Sequence, residues 1–201
     1  MGRILQSAIE FEGTVLRAFP YSDSDLILKV LSPTKGKISL IARHARQSKK
    51  KFSSSFDTFD TGTFRVKIHG SQKQDSLGNI LEFLPRRSFA ELRTDLDRLV
   101  IASVLCESFD ALIPEFSPDS CDCYGLLELG LQAISSSEEP KSALKACFLS
   151  LANLLKREGI LGDAPLIPTS KNLLHVLKII SNNVNRELNT IASLKEILGR
   201  L

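Results

Sequence analysis

Tryptophan is absent from this chain, methionine occurs once and tyrosine twice, so eleven phenylalanines carry nearly all of its aromatic character. No apolar run approaches the roughly 18 residues needed to cross a bilayer. Met1 to Phe11 carries Glu10 and lacks an apolar core followed by small residues, so it does not read as a secretory signal, and a cytoplasmic protein is expected. The phosphate-cradling patterns GxxxxGK[ST] and GxGxxG are missing, which leaves nucleotide hydrolysis and dinucleotide binding without apparatus. GxSxG is missing too, and Ser22-Asp23-Ser24-Asp25 reads as a turn whose side chains bond their own backbone. His44 sits among basic residues, His69 ends an alternating run and His175 lies in an apolar helix, and none is placed as a base or ligand. The four cysteines, Cys106, Cys121, Cys123 and Cys147, form no CxxC pair, and Cys121-Asp-Cys123 is too close for a usual zinc knuckle. Reduced, mostly buried thiols are the expectation. Nothing here points to an enzyme, a cofactor or a metal.

What is present is an asymmetry of charge. From Met1 to Lys73 there are 13 Lys and Arg against 6 Asp and Glu, whereas the remainder has 13 against 17. A basic front and an acidic back suggest two modules with different partners, the front one suited to a polyanion.

The front half reads as strands: Phe11–Phe19, Leu26–Leu31, Lys37–Ala42, an alternating Phe64–His69, and Leu77–Leu84 ending at Pro85. Five short strands without helical period suggest a small closed barrel, of which the OB-fold is the common five-stranded form. After Pro85 the period becomes helical. Leu92–Ile113 has a centre, Leu99 to Cys106, apolar on nearly every side, which predicts a helix in the middle of a bundle. Further helices are expected over Asp122–Ile134, from Pro140 to a stop at Gly159, from a cap at Thr169 or Ser170, and over Thr190–Leu198. The fold class is α+β, with a barrel domain over 1–85 and an all-α domain over 86–201.

Five of the nine residues from Arg43 to Lys51 are cationic (Arg43, Arg46, Lys49, Lys50, Lys51), with no acid among them. Lys35 and Lys37 flank a neighbouring turn. Single-stranded nucleic acid needs a cationic track for phosphates and aromatic faces for bases. Phe52, Phe56 and Phe59 follow at once, although each reads more readily as core than as a stacking platform. A solvated charge run beside core phenylalanines is the plainer alternative. An OB-fold RNA-binding or ribosome-associated factor is a second functional reading, and an interaction scaffold with no nucleic-acid binding is a third.

The order of residues resembles the RecO family. Glu12-Gly13-Thr-Val-Leu-Arg17 is similar to its opening strand, and Tyr21-Ser-Asp-Ser-Asp25 to its Tyr-x-Glu-x-Asp turn. Gly36-Lys37-Ile38, Ala42-Arg43-His44-Ala45-Arg46 and Lys50-Lys51-Phe52 resemble its basic stretch, and Leu92–Leu99 its first bundle helix. The resemblance covers about the first 115 residues well and the rest in layout. It implies an OB-fold followed by a helical domain, and a DNA-repair and recombination mediator that binds single- and double-stranded DNA. It further implies ATP-independent annealing, contact with single-stranded DNA-binding protein, and partnership with RecR in loading RecA. By position it implies phosphate contacts at Arg43, Arg46, Lys49, Lys50 and Lys51, with Arg17, Lys35 and Lys37 as secondary ones. The acidic C-terminal tail of single-stranded DNA-binding protein would need an apolar pocket with a cationic rim, for which Lys171, Lys178 and Arg186 are candidates. Two departures stand out. His44 replaces the family's loop glycine, which leaves another path for the loop backbone open, and the four-cysteine zinc module of many members is missing.

Overall fold

The computed structural model describes residues 8–47, 52, 56–67, 77–162 and 167–200, with the side chains of 118 and 119 left aside. Its elements are β1 (Ala8–Pro20), β2 (Leu26–Ser32), β3 (Gly36–Ala42), β4 (Thr61–Lys67), β5 (Gly78–Arg87), α1 (Leu96–Leu112), α2 (Cys123–Ser135), α3 (Pro140–Arg157), α4 (Ser170–Asn183) and α5 (Ile191–Leu198). They group into two compact units. One holds the strands together with Pro114–Tyr124, the other holds Phe89–Ile113 and Gly125–Leu201.

The strands close a barrel in the order β1-β2-β3-β5-β4. All pairings are antiparallel except β3 with β5, which meet in parallel at Leu40↔Gly78 and Ile41↔Asn79. This is the OB-fold arrangement expected from five short strands. Alternation explains the core: in β4, Phe64 and Val66 are buried while Arg65 is exposed, as a period of two requires. Phe11, Phe64, Phe83, Phe56 and Phe52 form a chain of ring contacts with centroids 4.6–6.0 Å apart. Each such pair adds about 0.5–1.5 kcal/mol beyond the area it buries. Phe52, Phe56 and Phe59 are therefore core, and these rings do not offer faces to bases.

Among the element ends that differ from the expected ranges, two have a local physical cause. β5 does not stop before Pro85 but continues to Arg87, because Pro85 sits opposite Gly62 at an irregularity of the ladder, where its missing N–H costs little. The expected helix from Leu92 is interrupted: a 3-10 turn over Ala90–Thr94 gives way to Asp95 in extended conformation, whose side chain caps α1 through the Arg98 N–H.

The β3–β5 seam is short, and the segment after α1 lies along the rest of β3. Phe116 donates its N–H to the Lys37 carbonyl at 2.9 Å, and the Lys37 N–H reaches Ser120 Oγ at 3.1 Å. Glu115 accepts from Lys29 Nζ and, at 2.8 Å, from Ser39 Oγ. Gly36 (φ 65°) fits beneath this strap with no room for a side chain, since a Cβ would lie 2.2 Å from Ser120 Oγ and 2.6 Å from the Ser117 carbonyl.

In the helical unit α1 packs against α3, α4 and α5, the central place its apolar middle predicts. α3 ends at Gly159 (φ 68°), and Thr169 Oγ1 caps α4 through Asn172 N–H at 3.2 Å. Cys106, Cys123 and Cys147 are buried and Cys121 is half-buried, and none of the four is in a disulfide. Burial pushes the Cys147 thiol up to about 12.

Candidate nucleic-acid interface

The end of the barrel where β2 starts and β3 finishes carries the arginines. Leu26 pairs with Ala42 there, so the loop after Ala42 lies beside the turn before Leu26. Side chains tie the two together. Asp25 Oδ1 accepts the His44 N–H at 2.9 Å and the Ser24 hydroxyl at 2.8 Å. Arg46 donates its backbone N–H to the Ser24 carbonyl at 3.0 Å and its guanidinium to the Ser22 carbonyl at 2.8 Å. The Tyr21 N–H closes the turn on the Asp25 carbonyl at 3.0 Å. The His44 N–H, then the Ser24 hydroxyl, hold the Asp25 carboxyl below its usual range, and the Arg43 charge helps.

His44 has φ 61°, the left-handed conformation that a glycine would adopt freely. The loop thus has a left-handed position filled by a residue with a side chain, and the strain falls on an exposed residue held by Asp25.

Of the eight candidate phosphate contacts, Arg43 and Arg46 are exposed on this loop, and Arg17 is exposed on β1 with its guanidinium 5.2 Å from the Phe19 ring centroid. Lys35 is exposed but lies in the turn at the far end of the β2–β3 hairpin. At about 3.4 Å per residue that is roughly 20 Å from the arginine loop. Lys37 is only 6% exposed, and its charge helps to hold the Glu115 carboxyl below the ordinary range. Burial opposes that lowering, and the Lys29 and Ser39 hydrogen bonds outweigh it. Lys49, Lys50 and Lys51 lie outside the described residues. Two other cations of the barrel are engaged across strands, Arg65 with Glu82 and Arg86 with Glu12. Tyr21, which no local pattern marks as a contact residue, is 63% exposed in the turn bonded to Arg46.

In the helical unit, Lys178 and Arg186 line one open groove of about 760 Å³ with Lys195. Leu174, Leu177 and Ile191 supply its apolar part, and Glu187 sets one acid against the three cations. Lys171 is exposed on the first turn of α4 and does not line it. Among the described residues no three His, Cys, Asp or Glu side chains converge as metal ligands, and no helix is long and apolar enough to cross a membrane.

The model of the recombination protein O N-terminal domain matches residues 7–89, the barrel and its flank. Over these residues the chain belongs to the RecO family. A DNA repair protein RecO from Symbiobacterium thermophilum is 30% identical over 145 residues, 72% of this chain and 55% of that relative. One from Syntrophus aciditrophicus is 31% identical over 134 residues, 67% and 50% of the two chains. One from Bacillus pumilus is 28% identical over 152 residues, 76% and 56%. The chain spans about half the length of these curated RecO relatives.

Proposed function

We propose that this RecO-family chain is a DNA-repair and recombination mediator, not an enzyme, that binds single- and double-stranded DNA through the arginine end of its barrel. The observation that carries the reading is the braced loop: Arg43 and Arg46 stand exposed at one end of an OB barrel. Cations so placed neutralise phosphates and release counterions, and they lower the repulsion between two strands that must pair. No nucleotide is needed for that, so annealing proceeds without ATP. Lys49, Lys50 and Lys51 extend the same cationic run in sequence. The groove of Lys178, Arg186 and Lys195 over an apolar floor suits an acidic C-terminal tail, and on this reading it takes that of single-stranded DNA-binding protein. RecR is the partner with which the chain would help load RecA.

A strand-annealing assay with complementary oligonucleotides tests this, run without ATP, on naked strands and on strands coated with single-stranded DNA-binding protein. Accelerated pairing of both is the expected result. Binding without any acceleration of pairing would reduce the chain to a general nucleic-acid binder, and a preference for RNA in competition would transfer it to RNA metabolism.

A further inference from the structure

We infer that Tyr21 is a stacking platform for one unpaired base, with the Arg46 and Arg17 guanidinium groups placed to meet the flanking phosphates. The inference rests on the DNA-binding reading and adds to it the residue that distinguishes a single strand from a duplex. Phosphate contacts alone cannot make that distinction, because both forms carry them. An aromatic face can, because only an unpaired base is free to lie on it.

The aromatic side chains of the barrel leave few choices. Phe11, Phe52, Phe56, Phe59, Phe64 and Phe83 are buried. Phe19 is half-buried and its ring faces the Arg17 guanidinium. Phe116 is exposed on the strap, bonded to Lys37 near the Lys35 end of the hairpin and so away from the arginines. Tyr21 alone combines high exposure with the arginine loop. Its backbone is held by the bond from its N–H to the Asp25 carbonyl, directly after the fixed φ of Pro20. The next carbonyl, that of Ser22, holds the Arg46 guanidinium at 2.8 Å. A guanidinium has five N–H donors, so this bond leaves others for a phosphate oxygen. Arg17, Phe19 and Tyr21 also alternate along the chain, which puts the first two on one outer face of β1, leading toward the turn. The ligand class is an unstacked nucleobase of any identity, since every base offers a π-face.

The absence of tryptophan makes the test direct, because emission comes from Tyr21 and Tyr124 alone, and Tyr124 is buried. Titration of the full chain with single-stranded oligothymidylate should quench the exposed tyrosine. Tyr21→Phe should lose that quenching while keeping wild-type affinity. Tyr21→Ala should bind the oligonucleotide about tenfold more weakly, within the range of one lost base stack. Its affinity for a duplex of equal length and its salt slope should stay unchanged. If Tyr21→Ala binds the single strand as the wild type does, the inference fails, and the salt-dependent binding of the wild type leaves the DNA reading standing. Equal weakening toward single strand and duplex would also overturn it, since the ring would then act through the shape of the loop. A wild type without salt-dependent binding would remove both.

Discussion

His44 occupies a backbone position at φ 61° that side chains other than glycine enter at a cost, and it does so where RecO relatives are expected to have glycine. The strain is local and the side chain is exposed, so the position can be relieved without disturbing packing. His44→Gly should raise stability by about 0.5–1 kcal/mol, the left-handed cost less the extra chain entropy of glycine. A rise in the urea midpoint checks it, and a fall would mean that the imidazole makes a contact worth more than the strain. The basic run was legible because five cations in nine residues are conspicuous in any sequence. Which cations face solvent was not, because Lys37 is removed from the surface by a strap that begins more than seventy residues later. Tyr21 was passed over for a related reason. Exposure of one ring depends on the others being consumed by the core, and no local pattern reports that.

At the scale of elements, period and caps foretold the order of strands and helices, while the ends yielded to tertiary partners. β5 runs through Pro85 because β4 offers an irregular position opposite it, and α1 starts late because Asp95 caps it. A second cap comes from far away in sequence. Both carboxylate oxygens of Glu107 in α1 hold the entrance of α5: Oε1 takes the Asn189 N–H and side-chain amide at 2.9 and 2.7 Å, and Oε2 takes the Thr190 N–H and hydroxyl at 2.9 and 2.8 Å. Burial works to raise this carboxyl, but the four bonds prevail and its affinity for a proton is lowered. A carboxyl lowered in the folded state contributes stability above its unfolded range and loses it as pH falls through the folded value. Glu107→Gln should cost about 1–2 kcal/mol at neutral pH, because an amide nitrogen cannot accept the bonds that one oxygen now receives. The variant should also show a flatter loss of stability on acidification. Urea unfolding across acid and neutral pH gives both answers, and parallel curves for variant and wild type would remove Glu107 from the account.

For the whole molecule the net charge of +3 conceals a basic front and an acidic back, which argues that polyanion binding belongs to the barrel. Replacing Lys49, Lys50 and Lys51 with alanine removes about three phosphate contacts on this view. The slope of log affinity against log salt for single-stranded DNA should then fall by roughly 2, with Arg43→Ala and Arg46→Ala each removing about 0.7. Fluorescence anisotropy over a salt series measures it, and an unchanged slope would put the DNA path elsewhere on the chain. The large-scale plan was legible from sequence because a switch of period from two to 3.6 survives any detail of packing. The route of the chain between the units was not, since Pro114–Tyr124 carries no strand pattern and gains its place only by lying against β3.

That strap has a consequence for how the protein comes into being. A chain is synthesised from its N-terminus, and a barrel confined to its first 88 residues could close as soon as they left the ribosome. Here the barrel unit also needs Glu115 against Lys29 and Ser39, and Ser120 against Lys37. The polypeptide must therefore emit the whole of α1 before the first unit can be completed, and a gene cut after residue 88 would encode the five strands without the strap that lies along β3.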